Sequence, residues 1–464
     1  MASETLTDYE RRRLENIKRN EAVIASLRLH NTANELSSAT KRSRIELKTY
    51  KTNNQKKPKS ETPIVIRRSL RARGIPPDTQ SAKGLEDDLV PSPVKTPNPN
   101  PPSGPISFRD AYLGDSSDRP LVGTVMEMAE NAPLGYSVKR GDAMRSFDLG
   151  SLVLKQENIA RVIPERTMTV KFLPSNDRTV IVVGDKGGYV AFWDVDCKEE
   201  DDGGYLYHPH KGPISGIQIQ PFSLSKIYTS CYDGFIRLMD IEKELFDVVY
   251  SCNDCIYSLS QRPCEAKSLY FGEGGGLFNV WDERAGKSSN SMRLHEKRIN
   301  TIDFNPENTN MMVTSSTDGT AYIWDLRNIN SKRPKSLITV DHKRAVHSAY
   351  FSPSGNYLAI TCVDDKVGLL SGVDFSDTSM IYHDNQTGRW ISSFRAIWGW
   401  DDSHVFIGNM KRGMDVISTD DKLIKTLQSP YITAIPCRFA AHPYQVGTLA
   451  GATAGGQVYI WTQR

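Results

Sequence analysis

Three histidines recur at one kind of place. His210, His295 and His342 each stand four residues before an apolar residue, Ile214, Ile299 and Val346. Downstream of His295 lies Asp318, and a His–Asp pair is the base-and-orienter half of a nucleophilic triad. Recurrence in step with a repeat points elsewhere. With Trp324, the pair is expected to tie strands together, and no nucleophile, phosphate loop or metal spacing stands beside it. The chain therefore reads as no enzyme and implies no cofactor. Cys252 and Cys255 form a lone CxxC. With no second pair at metal spacing, they read as core or loop thiols, and no metal site is expected.

The residues that remain as candidates for chemistry are cations, one amide and one exposed-looking aromatic, and their meaning depends on what positions them. The stretch Ser315–Arg327 reads as a strand end, an Asp-Gly turn and a second strand with Ala321 and Ile323 on one face and Tyr322 and Trp324 on the other. The same form recurs at 187–194, 233–240, 276–282 and 456–461. Upstream of the copies an apolar residue precedes Pro by seven positions, as Ile299 precedes Pro306, with Thr167 and Pro436 as weaker first residues, and each such Pro lies 17–19 residues before the Trp position. A degenerate copy with Ile391, Trp398 and Ile417 keeps the interval. Seven copies near a 45-residue period are the mark of an all-β, seven-bladed WD-repeat β-propeller, four strands to a blade. The last copy ends too early to have its own outer strand. An open seam would leave unpaired backbone, so the missing strand is expected near Ser151–Leu154 and the propeller over 145–464.

Up-and-down blades send alternate loops to alternate faces. The loop leading into a blade and the turn between its second and third strands share one face, here called the top. Lys211, Lys297, Arg298, Lys343 and Arg344 fall in lead-in loops, with Arg166 beside them. Lys186, Lys411 and Arg412, with Lys366, fall in mid-blade turns. So many cations on one face form a positive patch, offset in part by Asp185 and Glu296. The lead-in to the sixth blade is longer, with His383 eight residues before Ile391. The added length holds Gln386, Arg389 and Trp390, an amide, a cation and a large aromatic suited to inserting into a duplex and stacking on a base. The alternative is that Trp390 packs down on the rim. On the opposite face, Arg284 and Arg327 follow Trp-Asp pairs in adjacent blades, as ordinary strand-end cations or as a paired docking site.

Charge is divided unevenly. Residues 1–84 hold 19 Lys and Arg against 9 Asp and Glu, and the remainder 39 against 46. A basic arm on a mildly acidic domain suggests an anionic polymer as partner. Residues 6–30 read as a short helix within an N-terminal region 1–30. Residues 31–110 are rich in Ser, Thr, Asn, Pro and Lys and read as a disordered basic linker, whose cluster Arg67, Arg68, Arg71 and Arg73 suits nuclear import or phosphate contact. Residues 111–144 are expected to pack on the propeller. No run of eighteen apolar residues occurs, the first ten residues are charged, and the seven cysteines suit a reducing compartment.

Residues 1–30, the Arg67–Gly74 cluster and the seven repeats together resemble the WD repeat-containing protein 76 family and, more distantly, the damage-specific DNA-binding propeller subunit. "VVGDKGGYVAFWD" is similar to a segment of that subunit whose lysine, here Lys186, touches DNA phosphate. The loop with Gln386 and Trp390 sits where that subunit carries a duplex-inserting hairpin, with "NQTGRW" in place of its Phe-Gln-His tip. The resemblance implies a nuclear protein that binds double-stranded DNA or chromatin and acts in the DNA damage response. The Trp-Asp-x-Arg motifs of Arg284 and Arg327 resemble those of substrate receptors that join cullin-4 RING ubiquitin ligases through a damaged-DNA-binding adaptor. A histone-peptide or modified-base reader is a further alternative.

Overall fold

The computed structural model describes Lys18 and residues 103–463, apart from 115–116, 132–146, 198–202, 264, 330–332, 421 and 423. Arg67, Arg68, Arg71 and Arg73, and the helix expected over 6–30 apart from Lys18, lie outside the described residues. Seven antiparallel sheets succeed one another, five with their strands in chain order and two, those of blades 2 and 7, with an added strand from upstream. Blade 1 comprises Thr167–Phe172, Val180–Asp185, Val190–Asp194 and Gly204–Tyr207. The first strands of blades 2 to 7 are Ile214–Ile219, Ser258–Ser260, Ile299–Phe304, Val346–Phe351, Ile397–Trp398 and Pro436–Ala441.

The seam is closed as the repeat count requires. Leu152–Arg161 pairs with the terminal strand Gln457–Gln463, from Leu152 opposite Gln463 to Arg161 opposite Gln457, with a bulge between Leu154 and Ile159. The outer strand of the last blade thus comes from upstream of the first.

Mid-blade turns are fixed to the loops that follow. Gly319 takes φ +100° and accepts a hydrogen bond from the His342 N–H at 2.8 Å. A Cβ there would stand 2.8 Å from the His342 carbonyl oxygen, so only glycine fits both the left-handed conformation and the close approach. Blades 1 to 5 share this link, through His210 to Gly188, Cys252 to Gly234, His295 to Gly276, His342 to Gly319 and His383 to Asp365, so turn and lead-in loop there are one braced unit.

The His–Asp pairs are interior. His295 Nδ1 lies 3.0 Å from Asp318 Oδ2, and His295 Nε2 lies 2.7 Å from Thr314 Oγ1, which also accepts from Trp324 Nε1 at 2.9 Å. Blade 2 repeats the set with His210, Asp233 and Thr229, Met239 standing at the Trp position. Cys231 and Cys362 bring their sulfurs to the His210–Asp233 and His342–Asp364 pairs. Burial pushes the Cys362 thiol up to about 12 and raises that of Cys231 as well, so these cysteines pack as thiols rather than thiolates.

The N-terminal part of the described chain belongs to the propeller wall. Ile106–Ser107 adds a fifth strand to blade 2, Ile106 opposite Phe246. Phe108 is buried between the rings of Tyr207 and Phe246. The linker expected over 31–110 therefore gives way to ordered structure before its composition indicates, because the outer strand Leu245–Ser251 offers an edge to pair with. The helix Arg119–Asn131 buries Leu121, Val125 and Met128 in the cluster shared by blades 1 and 2. Asp118 accepts from the Tyr207 hydroxyl at 3.0 Å, and Arg119 pairs with Glu244 at 2.7 Å.

Burial would raise the carboxyl of Asp318, but hydrogen bonds from His295 and Thr320 outweigh it and hold the group below the ordinary carboxylate range. A depressed folded-state pKa stabilises above the unfolded value, near 4, and that stability is lost as pH falls through the folded one. Asp185 and Asp303 are shifted the other way, to about 6 and about 7. Both are protonated in folded and unfolded states alike only below about pH 3, so neither steepens the acid loss there. The melting temperature is expected to fall steeply below about pH 4, and Asp318→Asn should flatten that fall. Parallel curves for the variant and the parent would refute the assignment.

Candidate nucleic-acid interface

The cations expected at the top face are exposed, except Arg166, which is half-buried with its Nε enclosed. Lys186 rides the blade 1 turn. Asp185 beneath it is buried and accepts from the N–H groups of Glu165, Gly187 and Tyr189 at 3.2, 2.8 and 2.9 Å. Burial pushes Asp185 up to about 6 against those three bonds. It builds the turn that presents Lys186 and offsets the patch less than a surface carboxylate would. Lys211 leads into blade 2, where Asp233 accepts its backbone N–H at 3.0 Å. Lys297 and Arg298 lead into blade 4, and Lys343 and Arg344 into blade 5. Lys411 and Arg412 form the blade 6 turn, Arg412 at φ +61°.

Round the ring these positions make an arc rather than a full circle. It is densest over blades 4 to 6, skips the loops of blade 7, and resumes with Lys186 and Lys211. The blade 3 sector has the opposite sign, with Asp254 exposed and Glu273 buried against the Tyr250 hydroxyl at 2.7 Å. Between the sectors, Arg298 lies over the Tyr257 ring at 5.2 Å, and Tyr257 meets Tyr232 edge to face.

The long loop before blade 6 has a clamped base and a projecting tip. Asn385 Nδ2 donates to the carbonyls of Cys362 and Lys366 at 2.8 and 3.0 Å, and Asp365 Oδ1 accepts from the N–H groups of Asn385 and Gln386. The Gln386 amide donates to Asp365 Oδ2 at 2.5 Å and accepts from Arg344 Nη1 at 2.6 Å. Gln386 is thus a brace that also fixes Arg344, whereas the sequence suggested a probing residue. Beyond it Gly388 turns the chain at φ +56°, and Arg389 and Trp390 stand clear, Trp390 93 % exposed. The rim-packing alternative for Trp390 is not what the fold adopts.

The root of this loop crosses the ring. Ser392 Oγ donates to the Thr167 carbonyl of blade 1 at 2.5 Å, Arg395 Nη2 to the Asn300 carbonyl of blade 4 at 3.3 Å, and Arg438 of blade 7 to the Ser393 carbonyl. The first strand of blade 6 is accordingly cut to two residues. Arg395 and Arg438 were not among the residues singled out from sequence. A signal existed: the rung held by Arg438 carries Thr169, Gly216, Ser258, Thr301 and Ser348 in the first five blades.

On the opposite face Arg284 and Arg327 are exposed in adjacent blades. Arg327 is gripped as a fork by its own Asp325, Nε and Nη2 each 2.9 Å from a carboxylate oxygen.

The family description "WD domain, G-beta repeat" matches residues 286–325 and 334–369. WD repeat-containing protein 76 of Xenopus laevis is 28 % identical over 98 % of this chain and 80 % of its own. The mouse protein of that name is 27 % identical over 98 % and 74 %. DNA damage-binding protein cmr1 of Aspergillus oryzae is 26 % identical over 99 % and 100 %. The chain is a WD-repeat propeller similar to the WD repeat-containing protein 76 family. This likeness runs beyond the two matched repeats to nearly the whole length.

Among the seven tryptophans, Trp193, Trp281, Trp324, Trp398 and Trp461 are buried and Trp400 is half-buried. Trp390→Ala is expected to remove most of the acrylamide-quenchable tryptophan emission. Undiminished quenching in the variant would mean that the ring is packed away.

Proposed function

We propose that the protein is a nuclear, non-enzymatic DNA- or chromatin-binding propeller that acts in the response to DNA damage. The observation that carries the reading is Trp390, bare to solvent beside Arg389 on a braced loop within the cation arc. Lys186, Lys211, Lys297, Arg298, Lys343, Arg344, Lys411 and Arg412 hold backbone phosphates, which set register without reading sequence. Trp390 supplies a stacking surface for an unpaired or distorted base, worth about 1–3 kcal/mol. The basic residues Arg67, Arg68, Arg71 and Arg73 add affinity that does not depend on sequence. The names of relatives such as DNA damage-binding protein cmr1 support the same reading.

Phosphate contacts release counterions, so their number appears in the salt dependence of binding. Lys186→Glu combined with Arg412→Glu should weaken duplex binding and reduce the slope of log affinity against log salt by about 2. Trp390→Ala should weaken binding to distorted duplexes about tenfold with the slope nearly unchanged. Unchanged affinity and slope in the double variant would overturn the assignment of the top face.

A second reading rests on the lower face. Arg284 and Arg327, exposed in neighbouring blades with Arg327 pre-oriented by Asp325, suit docking to the adaptor of a cullin-4 ubiquitin ligase, the top face then holding a substrate. Arg284→Ala with Arg327→Ala should abolish capture of the adaptor in a pull-down and leave duplex affinity intact. Retained capture would exclude these arginines as the contact.

A further inference from the structure

The first strands of the seven blades, with the segment 391–396 that precedes the sixth, wall the central channel. Their only permanent cations are Lys171, Arg395 and Arg438, and their only carboxylate is Asp303. Arg438 is 7 % exposed. It donates through Nε to the Met168 carbonyl at 2.8 Å, and through Nη1 to the carbonyls of Ser393 and Cys437. Arg395 donates to the Asn300 carbonyl, and its Nε is buried with no partner, as is Nδ1 of the neighbouring His347. Carbonyls satisfy donors but do not neutralise charge. No ion pair joins either guanidinium to a carboxylate among the described residues.

The groups lie close enough to feel one another. Burial, then the charge of Arg395, pushes Arg438 down to about 9. Burial, then Arg395, Arg438 and Arg298, pushes His347 down to about 4. Lys171 is exposed on the first strand of blade 1; desolvation by the surrounding protein lowers its pKa, with Asp303 acting against it and Arg395 with it. Asp303 is pushed up to about 7 by burial, so near neutrality it supplies less than a full negative charge. Like charges brought together in a confined space without counter-charge are costly, and a bound polyvalent anion removes that cost.

We infer that the channel holds a compact phosphate anion, inorganic pyrophosphate or a soluble polyphosphate, among Lys171, Arg395 and Arg438. Guanidinium groups match phosphate oxygens in geometry as well as charge. A duplex phosphate is a poor candidate, because Arg438 stands two residues down the Pro436–Ala441 strand, about 7 Å from its upper end, and a rigid backbone cannot follow it inward. The anion would sit beneath the crossing segment that roots the Trp390 loop, so the site is separate from the phosphate contacts assigned above.

The test is calorimetric titration of the full chain with pyrophosphate and with inositol hexakisphosphate, chloride and sulfate at matched ionic strength serving as controls. One saturable site is expected for at least one of the two probes. Arg395→Gln and, separately, Lys171→Gln should each weaken it about tenfold or more, while the duplex affinity of the Lys171 variant, which leaves the root of the Trp390 loop untouched, stays within about twofold. Lys411→Glu with Arg412→Glu should leave the site intact. Two variants are used because either substitution alone can fail to fold, which circular dichroism would reveal. No saturable heat with either probe overturns the inference. So does loss of the site in the Lys411 and Arg412 variant with retention in both channel variants, which would assign the anion to the outer face. A parallel loss of duplex affinity in the Lys171 variant would give the cluster to DNA and also overturn it. Failure of the duplex assignment itself would show in the Lys186 and Arg412 titration, independently of these outcomes.

Discussion

An unpaired strand edge presents a row of N–H and C=O groups that must find partners, and in this molecule that requirement decides the course of the chain. The last blade has three strands of its own and takes its fourth from Leu152–Arg161. The pairing sets the circumference: with the seam shut, seven lead-in loops and seven mid-blade turns are held at one end of a closed wall. The cation arc exists because of that enclosure, since Lys186 and Arg412 are far apart in sequence. The same requirement acts at blade 2, where Ile106–Ser107 covers an outer edge and the Arg119–Asn131 helix follows it onto the wall.

What the sequence made legible was whatever repeats locally. The Pro-to-Trp interval, the Asp-Gly turn and the His–Asp–Trp set belong to single blades, so each copy announces itself within a few dozen residues. The position of the closing strand also followed, because the repeat count left one edge bare. Topology alone is what assigns each cation to a face. Trp390 was visible as an aromatic in a loop longer than its siblings, and it stands out from the surface.

What stayed hidden depends on contacts between residues distant in sequence. The pairing of Ile106–Ser107 involves two residues without pattern and is dictated by the strand it meets. Gln386 reads as a free amide until Asp365 and Arg344 are seen on either side of it. Arg395 and Arg438 carry no motif; their importance comes from the carbonyls they reach across the hub. The expected offset of the patch by Asp185 was reduced for a related reason, since burial rather than sequence neighbours sets the charge of that carboxyl.

The segment Ser392–Arg395 alters how the molecule comes apart. A chain of repeats that touch only their neighbours behaves as a one-dimensional array and can fray from an end or a seam, one unit at a time. Here a single stretch bonds to blades 1, 4 and 7 at once, like a spoke joining distant parts of a rim. Parting any one interface then disturbs contacts on the far side of the hub. The consequence is a toroid that resists stepwise unzipping and melts as one cooperative body, with no stable horseshoe of five or six blades along the way.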